Sequence, residues 1–450
     1  MLLTLAAAPL GVPSKGAQDS TCVLSKNFEN SQYTVALAVG TPGQTLNAVP
    51  DSGSFELIMT STECVGCDGH RRFDKSNSSS FISLGTQIDT RFGQGDVSSA
   101  VDYDKVQLGD LVATKQSILL MQKNELRNFD DAAYDAVMGM GRERLARSYS
   151  SDLSLMANLG ASVTGICVGQ HDQEPGRLQI GAEIPTLEYV TLPVYGDTHW
   201  AIKVNEVSMS GSGSNSIAIP GCAGAAGCSA IVDSGTSLIA LPKVVLDAVL
   251  TQIGTINPDC SNVDQLPSLR FTANGHNFDL PPQLYVAKML DDEIDEGSSL
   301  ASSTRLFDFF KLPFLKRSVR LDAAQETCVP LFMEMDIATS FNGLAMILGL
   351  PFLRKYAAKF DRDEKTVSLG EIPLGSSLCT HCGETHSYAA QTSSAILAGS
   401  VSLAAGAMQP QPGPAVAQRQ RPRLTPRYLR MPTWAHQVQK DRDGKHFLAM

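Results

Sequence analysis

The stretch Val49-Pro50-Asp51-Ser52-Gly53-Ser54-Phe55 decides how the rest of this chain is interpreted. It places an aspartate, a small hydroxyl residue, a glycine and a second hydroxyl residue directly after an apolar, β-forming run. The same order returns in the second half as Ile231-Val232-Asp233-Ser234-Gly235-Thr236-Ser237. A single Asp-Ser-Gly is common turn chemistry. Two copies, each at the end of a strand-like run, predict a duplicated fold with a site shared between its halves.

The composition favours an all-β protein. The chain has 450 residues with 37 glycines, modest charge and few long helical patterns, which suits several short strands joined by turns. Its length allows two or three domains with a sizeable core. The net charge is −10, although the tail from Gln409 onward has eight Lys or Arg against two Asp. An acidic body argues against a nucleic-acid partner.

The order of predicted elements repeats. In the first half a hairpin made by Tyr33–Val39 and Thr45–Val49 leads into the first aspartate, and an apolar strand ending in glycines follows at Tyr134–Gly141. In the second half, Leu344–Leu350 has the same apolar run with a glycine. Helical spacing of apolar residues also predicts two helices, over 152–159 and 242–253.

These patterns divide the chain into a leader or arm, two lobes and a tail. The predicted ranges are 1–26 for the arm, 27–188 for the N-terminal lobe, 189–374 for the C-terminal lobe with an insertion at 291–324, and 375–450 for the tail. Met1–Leu10 is apolar but lacks a basic start, so it resembles the remnant of a signal peptide.

The tail combines an uncharged Ala/Gly/Ser-rich part with a basic, proline-containing part. This low-complexity composition predicts disorder. The alternative is a single membrane-spanning helix through 389–408, but that apolar stretch is short and contains few large side chains. We therefore favour a disordered tail over a membrane anchor.

Ten cysteines, several in closely spaced pairs, predict disulfides and an oxidising compartment. The alternative is zinc at the pairs Cys64/Cys67 and Cys379/Cys382. Because no histidine recurs at regular spacing around the first pair, we expect neither a metal nor another cofactor. The triplet Asn77-Ser78-Ser79 is a candidate glycosylation acceptor of a secreted protein, although such triplets also occur by chance.

Two facing Asp-Ser-Gly turns have a clear chemical use. Two carboxylates a few ångströms apart cannot both ionise cheaply, so they share a proton and titrate as a unit. The ionised member can accept a proton from a bound water that attacks a carbonyl group. The protonated member can donate to the carbonyl oxygen and then help protonate the leaving amine. The pattern therefore predicts amide hydrolysis by Asp51 and Asp233 without a metal.

The neighbours of the two aspartates suit this task. Glycine allows the backbone to approach a carboxylate closely. The first hydroxyl residue of each turn can cross-link the turns, and the second can donate to an outer carboxylate oxygen and fix its orientation. These supporting residues are Ser52, Gly53, Ser54, Ser234, Gly235 and Thr236.

From about Asn27 to Pro373 the chain resembles the pepsin-like aspartic peptidases. Besides the two aspartate motifs, the similar features are Val39–Pro42, the glycine hairpin at Gly93–Gly95, Tyr134–Gly139 and Ile347–Gly349. The resemblance implies a bilobal fold with pseudo-twofold symmetry and a cleft between the lobes. It also implies that a monomer cleaves extended peptide or protein substrates, either outside the cell or in an acidic vacuole or lysosome-like compartment.

The resemblance assigns particular roles to residues. Asp51 and Asp233 would be the catalytic pair, and the hairpin at Phe92 and Gly93 would be a flap over the bound peptide. Three disulfides would join Cys64–Cys67, Cys222–Cys228 and Cys260–Cys328. No partners are implied for Cys22, Cys167, Cys379 and Cys382, and a buried free thiol is an acceptable interpretation of Cys167.

Three positions depart from the family pattern. Phe92 stands where the family usually has a tyrosine, and Ile58 stands where it usually has tryptophan, so a hydrogen bond is lost together with both its partners. Leu350 follows Ile347-Leu-Gly349 where many members have aspartate. These changes predict a shifted pH range rather than a lost site.

The rival interpretation is a pepsin-fold protein that only binds peptides or proteins. The loss of the flap hydroxyl at Phe92 agrees with that interpretation. Both aspartates and both motif glycines are present, however. We therefore favour an endopeptidase.

Overall fold

The computed structural model describes residues 20–92, 95–126, 129, 132–142, 154–210, 216–224, 227–290, 326–335, 338–339, 343–382, 438–440 and 446–448. The predicted insertion at 291–324, most of the tail and residues 1–19 lie outside these ranges. Within them the chain is mostly β-structure, which confirms the predicted all-β class.

The strands of the first half supply the N-terminal sheet and part of a sheet shared with the second half. They are β1 Thr21–Phe28, β2 Gln32–Val39, β3 Gln44–Asp51, β4 Leu57–Val65, β5 Ile82–Phe92, β6 Gly95–Leu108, β7 Leu111–Asn124, β8 Ala136–Gly139, β9 Val163–Cys167 and β10 Gly176–Ile180.

The strands of the second half are shorter, and most of them lie outside the shared sheet in smaller groups. They are β11 Tyr189–Pro193, β12 Ala201–Val204, β13 Glu206–Ser210, β14 Ser216–Ile219, β15 Cys228–Val232, β16 Ile239–Leu241, β17 Leu269–Ala273, β18 His276–Leu280, β19 Val286–Leu290, β20 Glu326–Pro330, β21 Phe332–Glu334, β22 Ala338–Thr339, β23 Leu344–Leu348, β24 Tyr356–Asp361, β25 Thr366–Glu371, β26 Val438–Lys440 and β27 His446–Leu448.

Helices are few and short in the described residues. They are α1 Leu155–Asn158, α2 Lys243–Ile253, α3 Pro282–Tyr285 and α4 Leu350–Leu353, with single 3₁₀ turns at Lys75–Asn77 and Val263–Gln265. The helix predicted over 242–253 is confirmed as α2, which buries the apolar side of its surface. The helix predicted over 152–159 is the shorter α1, which begins after the N-cap Ser154.

The two halves repeat one arrangement around their aspartates. In the first half β3 runs parallel to β8, with Asp51 opposite Gly139, and β8 runs antiparallel to β4. In the second half β15 runs parallel to β23, with Val232 opposite Leu348, and β23 runs antiparallel to β16. This repetition is the pseudo-twofold relation expected from the duplicated motifs.

The glycine that ends each apolar strand has a steric reason. A Cβ at Gly139 would overlap the backbone at Phe55, and a Cβ at Gly349 would overlap the carbonyl oxygen of Leu238. Each glycine thus lies against the chain just after the aspartate turn of its own half. The apolar run followed by glycine is therefore the sequence pattern that marks this close contact between the strand and the chain after the aspartate turn.

A sheet shared by both halves joins the lobes. Its order begins β11-β25-β24-β9-β10-β1 and continues through β2, and β24 pairs with β9 so that Ala358 lies opposite Ile166. The strand β1 pairs with β10 from Thr21 to Ser25. Part of the predicted 1–26 arm is therefore a strand, because its residues complete the ladder beside β10.

All three disulfides implied by the family resemblance are confirmed. Two more join Cys22 to Cys382 and Cys167 to Cys379, across 360 and 212 positions of sequence, respectively. The interpretation of Cys167 as a free thiol is therefore wrong. No local sequence pattern indicates this pairing, because only the folded sheet brings β9 next to the segment that follows β25.

These two disulfides also correct the prediction for the start of the tail. Cys379 is buried, and both bridges fix residues 375–382 to strands of the shared sheet. Further on, β26 and β27 form an antiparallel hairpin, and β27 pairs in parallel with β22. The disorder predicted for 375–450 is therefore wrong at these segments.

No helix within the described residues has the length and apolar character needed to cross a membrane. The segment 389–408, which we considered as a membrane anchor, lies outside those residues. It stays a prediction that this segment is not an anchor.

We expect the Cys167–Cys379 bridge to contribute more stability than the Cys64–Cys67 bridge. The first closes a loop of 212 positions and the second a loop of 3, and a bridge restricts the unfolded chain more when its loop is long. Replacing Cys167 and Cys379 by alanine should lower the free energy of unfolding by about 2–4 kcal/mol. Denaturant unfolding tests this when the same replacement is also made at Cys64 and Cys67. An equal loss of unfolding free energy in the two double variants would contradict the prediction.

Candidate active site

The two motif aspartates lie at the ends of central strands and are buried. Asp51 ends β3 and is 0% exposed, and Asp233 directly follows β15 and is 1% exposed. Each strand is paired on both sides, β3 with β2 and β8, and β15 with β12 and β23. A central strand has neighbours on both edges, so the fold itself delivers both carboxyl groups to a buried location.

Reciprocal hydrogen bonds between Ser52 and Ser234 bind the two turns together. The Ser52 N–H donates to Ser234 Oγ at 3.1 Å, and the Ser234 N–H donates to Ser52 Oγ at 2.9 Å. Each hydroxyl then donates across to the other half, Ser52 Oγ to the Val232 carbonyl at 2.9 Å and Ser234 Oγ to the Pro50 carbonyl at 2.7 Å. The cross-link predicted from the sequence is therefore formed.

The motif glycines place each turn against the opposite carboxyl group. Gly53 N–H donates to Asp51 Oδ1 at 2.9 Å, and Gly235 N–H donates to Asp233 Oδ1 at 2.8 Å. A Cβ on Gly53 would lie 2.6 Å from Asp233 Cγ, and one on Gly235 would overlap the Asp51 carboxyl group. Any side chain at either position would therefore force the two turns apart.

The second hydroxyl residues of the two turns behave differently. Thr236 Oγ1 donates to Asp233 Oδ2 at 2.5 Å. Ser54 Oγ is buried and has no hydrogen-bond partner in the described part of the chain, so the bond to Asp51 that we expected from Ser54 is not formed. Threonine is stiff at χ1, whereas serine is free to turn its hydroxyl away. The hydrogen bonds that the hydroxyl residues make to the two carboxyl groups are therefore different in the two halves.

Burial, followed by the negative charge of Asp51, raises the pKa of Asp233 to about 7. The hydrogen bonds from Thr236 and the Gly235 N–H oppose this rise. Asp233 also shares a hydrogen bond with Asp51. Because the two groups interact so strongly, their protons belong to the pair rather than to either residue.

The predicted flap is a long hairpin. Strands β5 and β6 pair from Ile82 opposite Tyr103 to Phe92 opposite Gly95. Gly93 and the side chain of Phe92 lie outside the described residues. The hairpin itself agrees with the sequence prediction, while the contact of the Phe92 ring with a substrate stays a prediction.

The other two departures from the family pattern are apolar and buried. Ile58 is 2% exposed on β4, and Leu350 is 1% exposed at the start of α4. The Leu350 N–H donates to the Thr236 carbonyl at 2.9 Å, so its backbone supports the second turn while its side chain joins the core.

Trp200, which belongs to none of the sequence motifs, supports the first turn from the other half. Trp200 Nε1 donates to the Met140 carbonyl at 2.9 Å, and the Met140 N–H donates to the Asp51 carbonyl at 2.8 Å. The neighbouring His199 ring lies edge-on to Phe55, with centroids 5.5 Å apart. No local sequence signal connects Trp200 to residues in the other lobe.

A second missed group supports the approach to Asp51. The Asp135 carboxylate accepts from the N–H groups of Asn47 and Arg71 at 2.8 and 2.9 Å, and His70 Nδ1 lies 3.7 Å from it. Burial alone would raise the pKa of Asp135, but the nearby His70 ring and the hydrogen bonds from the Asn47 and Arg71 N–H groups outweigh it and lower the pKa. This carboxylate therefore holds the chain just before the first turn.

In the ranges that the structure describes, no group of three or more His, Cys, Asp or Glu side chains could hold a metal ion. The site contains two carboxyl groups, the backbone N–H donors of Gly53 and Gly235, and the hydroxyl residues Ser52, Ser54, Ser234 and Thr236. Two such carboxyl groups can bind a water molecule and accept a proton from it.

A two-lobed β fold with paired Asp-Ser-Gly turns between its halves defines the class of aspartic-type peptidases. The sequence profile described as Eukaryotic aspartyl protease matches residues 32–302. The chain belongs to this family. Its members are hydrolases of peptide bonds, so the predicted enzyme class is confirmed at the level of the family.

Named relatives share most of the chain's length. A probable vacuolar protease A of Trichophyton verrucosum is 27% identical over 373 residues, covering 79% of this chain and 82% of the relative. Pepsin A of Rhinolophus ferrumequinum is 25% identical over 363 residues, covering 77% and 83%, respectively. The vacuolar protease A of Aspergillus fumigatus is 26% identical over 369 residues, covering 78% and 81%.

The raised pKa of Asp233 predicts a loss of stability as pH rises. Burial beside Asp51 raises the pKa of Asp233 from its ordinary value of 3.8, which applies to the unfolded chain, to about 7 in the folded protein. Its stabilising effect is therefore fully present below about pH 4 and is lost as pH rises through about 7, by at most about 1.4 kcal/mol per pH unit. Denaturant unfolding across this range measures the slope.

Asp233→Asn should flatten that slope because the amide does not titrate. Asp247→Asn is the matched control, since Asp247 lies on the exposed surface of α2 in an ion pair with Lys243, and such pairs contribute little. A slope that is the same in Asp233→Asn and the parent would contradict the assignment.

Proposed function

We propose that this chain is an aspartic endopeptidase that works at acid pH and uses a water molecule activated by Asp51 and Asp233. The observation that carries the proposal is the buried carboxyl pair held together by Ser52 and Ser234. Membership of the aspartyl protease family supports the same reaction class.

The proposed chemistry needs one proton on the pair. The ionised carboxyl group accepts a proton from the water as its oxygen attacks the peptide carbonyl carbon. The protonated carboxyl group donates to the carbonyl oxygen, and the pair then delivers a proton to the leaving amine. The N–H groups of Gly53 and Gly235 hold one oxygen of each carboxyl group, so the pair does not have to reorganise during the reaction.

The pH range follows from the proton count. Because the pKa of Asp233 is raised to about 7, the pair keeps its single proton in mildly acidic solution and loses it near neutrality. A fully ionised pair has no acid to donate to the carbonyl oxygen. We therefore propose that activity is confined to acid pH.

We propose that the substrate is an extended peptide segment lying in the cleft between the lobes. An extended chain offers backbone hydrogen bonds and alternating side chains to a cleft. The β5–β6 hairpin, with Phe92 and Gly93 at its end, would close over it. One chain supplies both aspartates, so the proposed active form is a monomer.

The proposed location is the secretory pathway, ending outside the cell or in an acidic vacuole. Five disulfides within one chain suit an oxidising compartment. Two relatives carry the name vacuolar protease A. Both destinations are compatible with an enzyme that needs a protonated carboxyl group.

Cleavage of an unfolded protein by the purified full chain at acid pH tests the proposal. We expect Asp51→Asn and Asp233→Asn each to lower kcat by about 10²–10⁴-fold or more, which is the usual contribution of a positioned acid or base. A statine-type mimic of the tetrahedral intermediate should block the parent. Asp247→Asn, the surface control, should keep the parent's rate.

The rival function gives a different result in the same experiment. A protein that only binds peptides would retain affinity for an unfolded protein or the statine mimic but release no fragments. Equal cleavage by the parent and Asp51→Asn would show that the activity belongs to a contaminant, and it would refute the proposal.

A further inference from the structure

The connection between β4 and β5 contains a surface turn that the hydrolytic site does not use. Its sequence Asn77-Ser78-Ser79 is the single Asn-X-Ser/Thr triplet in the 450 residues. Asn77 is the last residue of the 3₁₀ turn Lys75–Asn77 and is exposed, and so is Ser79. Both residues that such a triplet requires are thus accessible.

The turn is held rigidly on its inner side. Gln44 at the start of β3 exchanges two hydrogen bonds with the Asp74 backbone, at 2.8 and 2.9 Å. Thr41 N–H donates to Ser78 Oγ at 3.0 Å, and Ser79 N–H donates back to the Thr41 carbonyl at 2.9 Å. These bonds orient the backbone and leave the Asn77 side chain on the outside.

One N–H of the Asn77 side-chain amide is not needed for its hydrogen bond to Asp74. Its Nδ2 donates one hydrogen bond, at 2.8 Å, to Asp74 Oδ2, and an amide nitrogen carries two hydrogens. Replacement of the other hydrogen by a sugar leaves the bond to Asp74 intact. The folded turn therefore accommodates a modified amide without losing its capping contacts.

We propose that Asn77 is an N-glycosylation site. The donor is an oligosaccharide carried on a lipid pyrophosphate. A bond forms between Asn77 Nδ2 and C1 of the first sugar, the bond from that carbon to the pyrophosphate oxygen breaks, and one amide proton leaves. The inference relies on the oxidising compartment proposed above, but it does not depend on proteolytic activity.

The site lies apart from the hydrolytic machinery. Asn77 belongs to the turn between β4 and β5, whereas the carboxyl pair lies at the ends of β3 and β15. Removal of the glycan should therefore leave kcat/KM within about twofold of the parent, since surface changes away from special features are nearly neutral.

The test expresses the full chain behind a host secretion signal in eukaryotic cells and measures its electrophoretic mobility before and after treatment with a glycan-releasing amidase. The parent should shift on treatment, Asn77→Gln and Ser79→Ala should not, and the conservative Ser79→Thr should. Peptide mapping of the treated parent should find Asn77 converted to aspartate.

Two further variants sharpen the result. His276→Thr completes a triplet beginning at Asn274, in the exposed turn between β17 and β18, and should add a second shift. Asp51→Asn should shift like the parent, which separates this inference from the proposed proteolysis. A parent that does not shift, or a shift that persists in Asn77→Gln, would overturn the assignment.

Discussion

The reciprocal hydrogen bonds between Ser52 and Ser234 are the contact on which the rest of the site depends. Each serine accepts from the backbone of the opposite turn and donates to a carbonyl of the opposite half. All these groups are buried, and each one left unpaired would cost about 1–3 kcal/mol. The two turns therefore cannot slide past each other, and this contact fixes the separation of the carboxyl groups.

The remaining features of the site follow from that fixed separation. The two turns approach so closely that only glycine fits at positions 53 and 235. Burial, together with the same close approach of Asp51, makes full ionisation of the pair unfavourable and raises the pKa of Asp233. Packing and acidity are thus two consequences of one contact, and the sheet shared by β9 and β24 keeps the lobes in the orientation that permits it.

Local patterns in the sequence predict the strands, the turns and the two aspartate motifs, which the structure brings together. The aspartate motifs, helix α2 and the β17–β18 hairpin all have short-range signals, such as the Asn274-Gly275 turn whose residues both have positive φ. Contacts between residues far apart in the sequence have no such short-range signal. The Cys167–Cys379 bridge and the support of Met140 by Trp200 exist only because the fold joins distant strands.

The sequence pattern also does not predict that residues at equivalent positions of the two turns make different hydrogen bonds. Ser54 and Thr236 occupy matching positions, yet only the threonine hydroxyl donates to its aspartate. The difference lies in side-chain rotamers, which depend on packing as much as on residue type. It makes the surroundings of the two carboxyl groups unequal, although the two turns have nearly the same sequence.

The central claim is that Asp51 and Asp233 act as a pair sharing one proton. The most direct measurement is kcat/KM for a peptide substrate between about pH 2 and about pH 8, since this profile reports the ionisations of the free enzyme. We predict a bell-shaped profile whose alkaline limb falls at or below about 7, the value to which the pKa of Asp233 is raised. A rate that stays constant or rises through neutral pH would contradict the account.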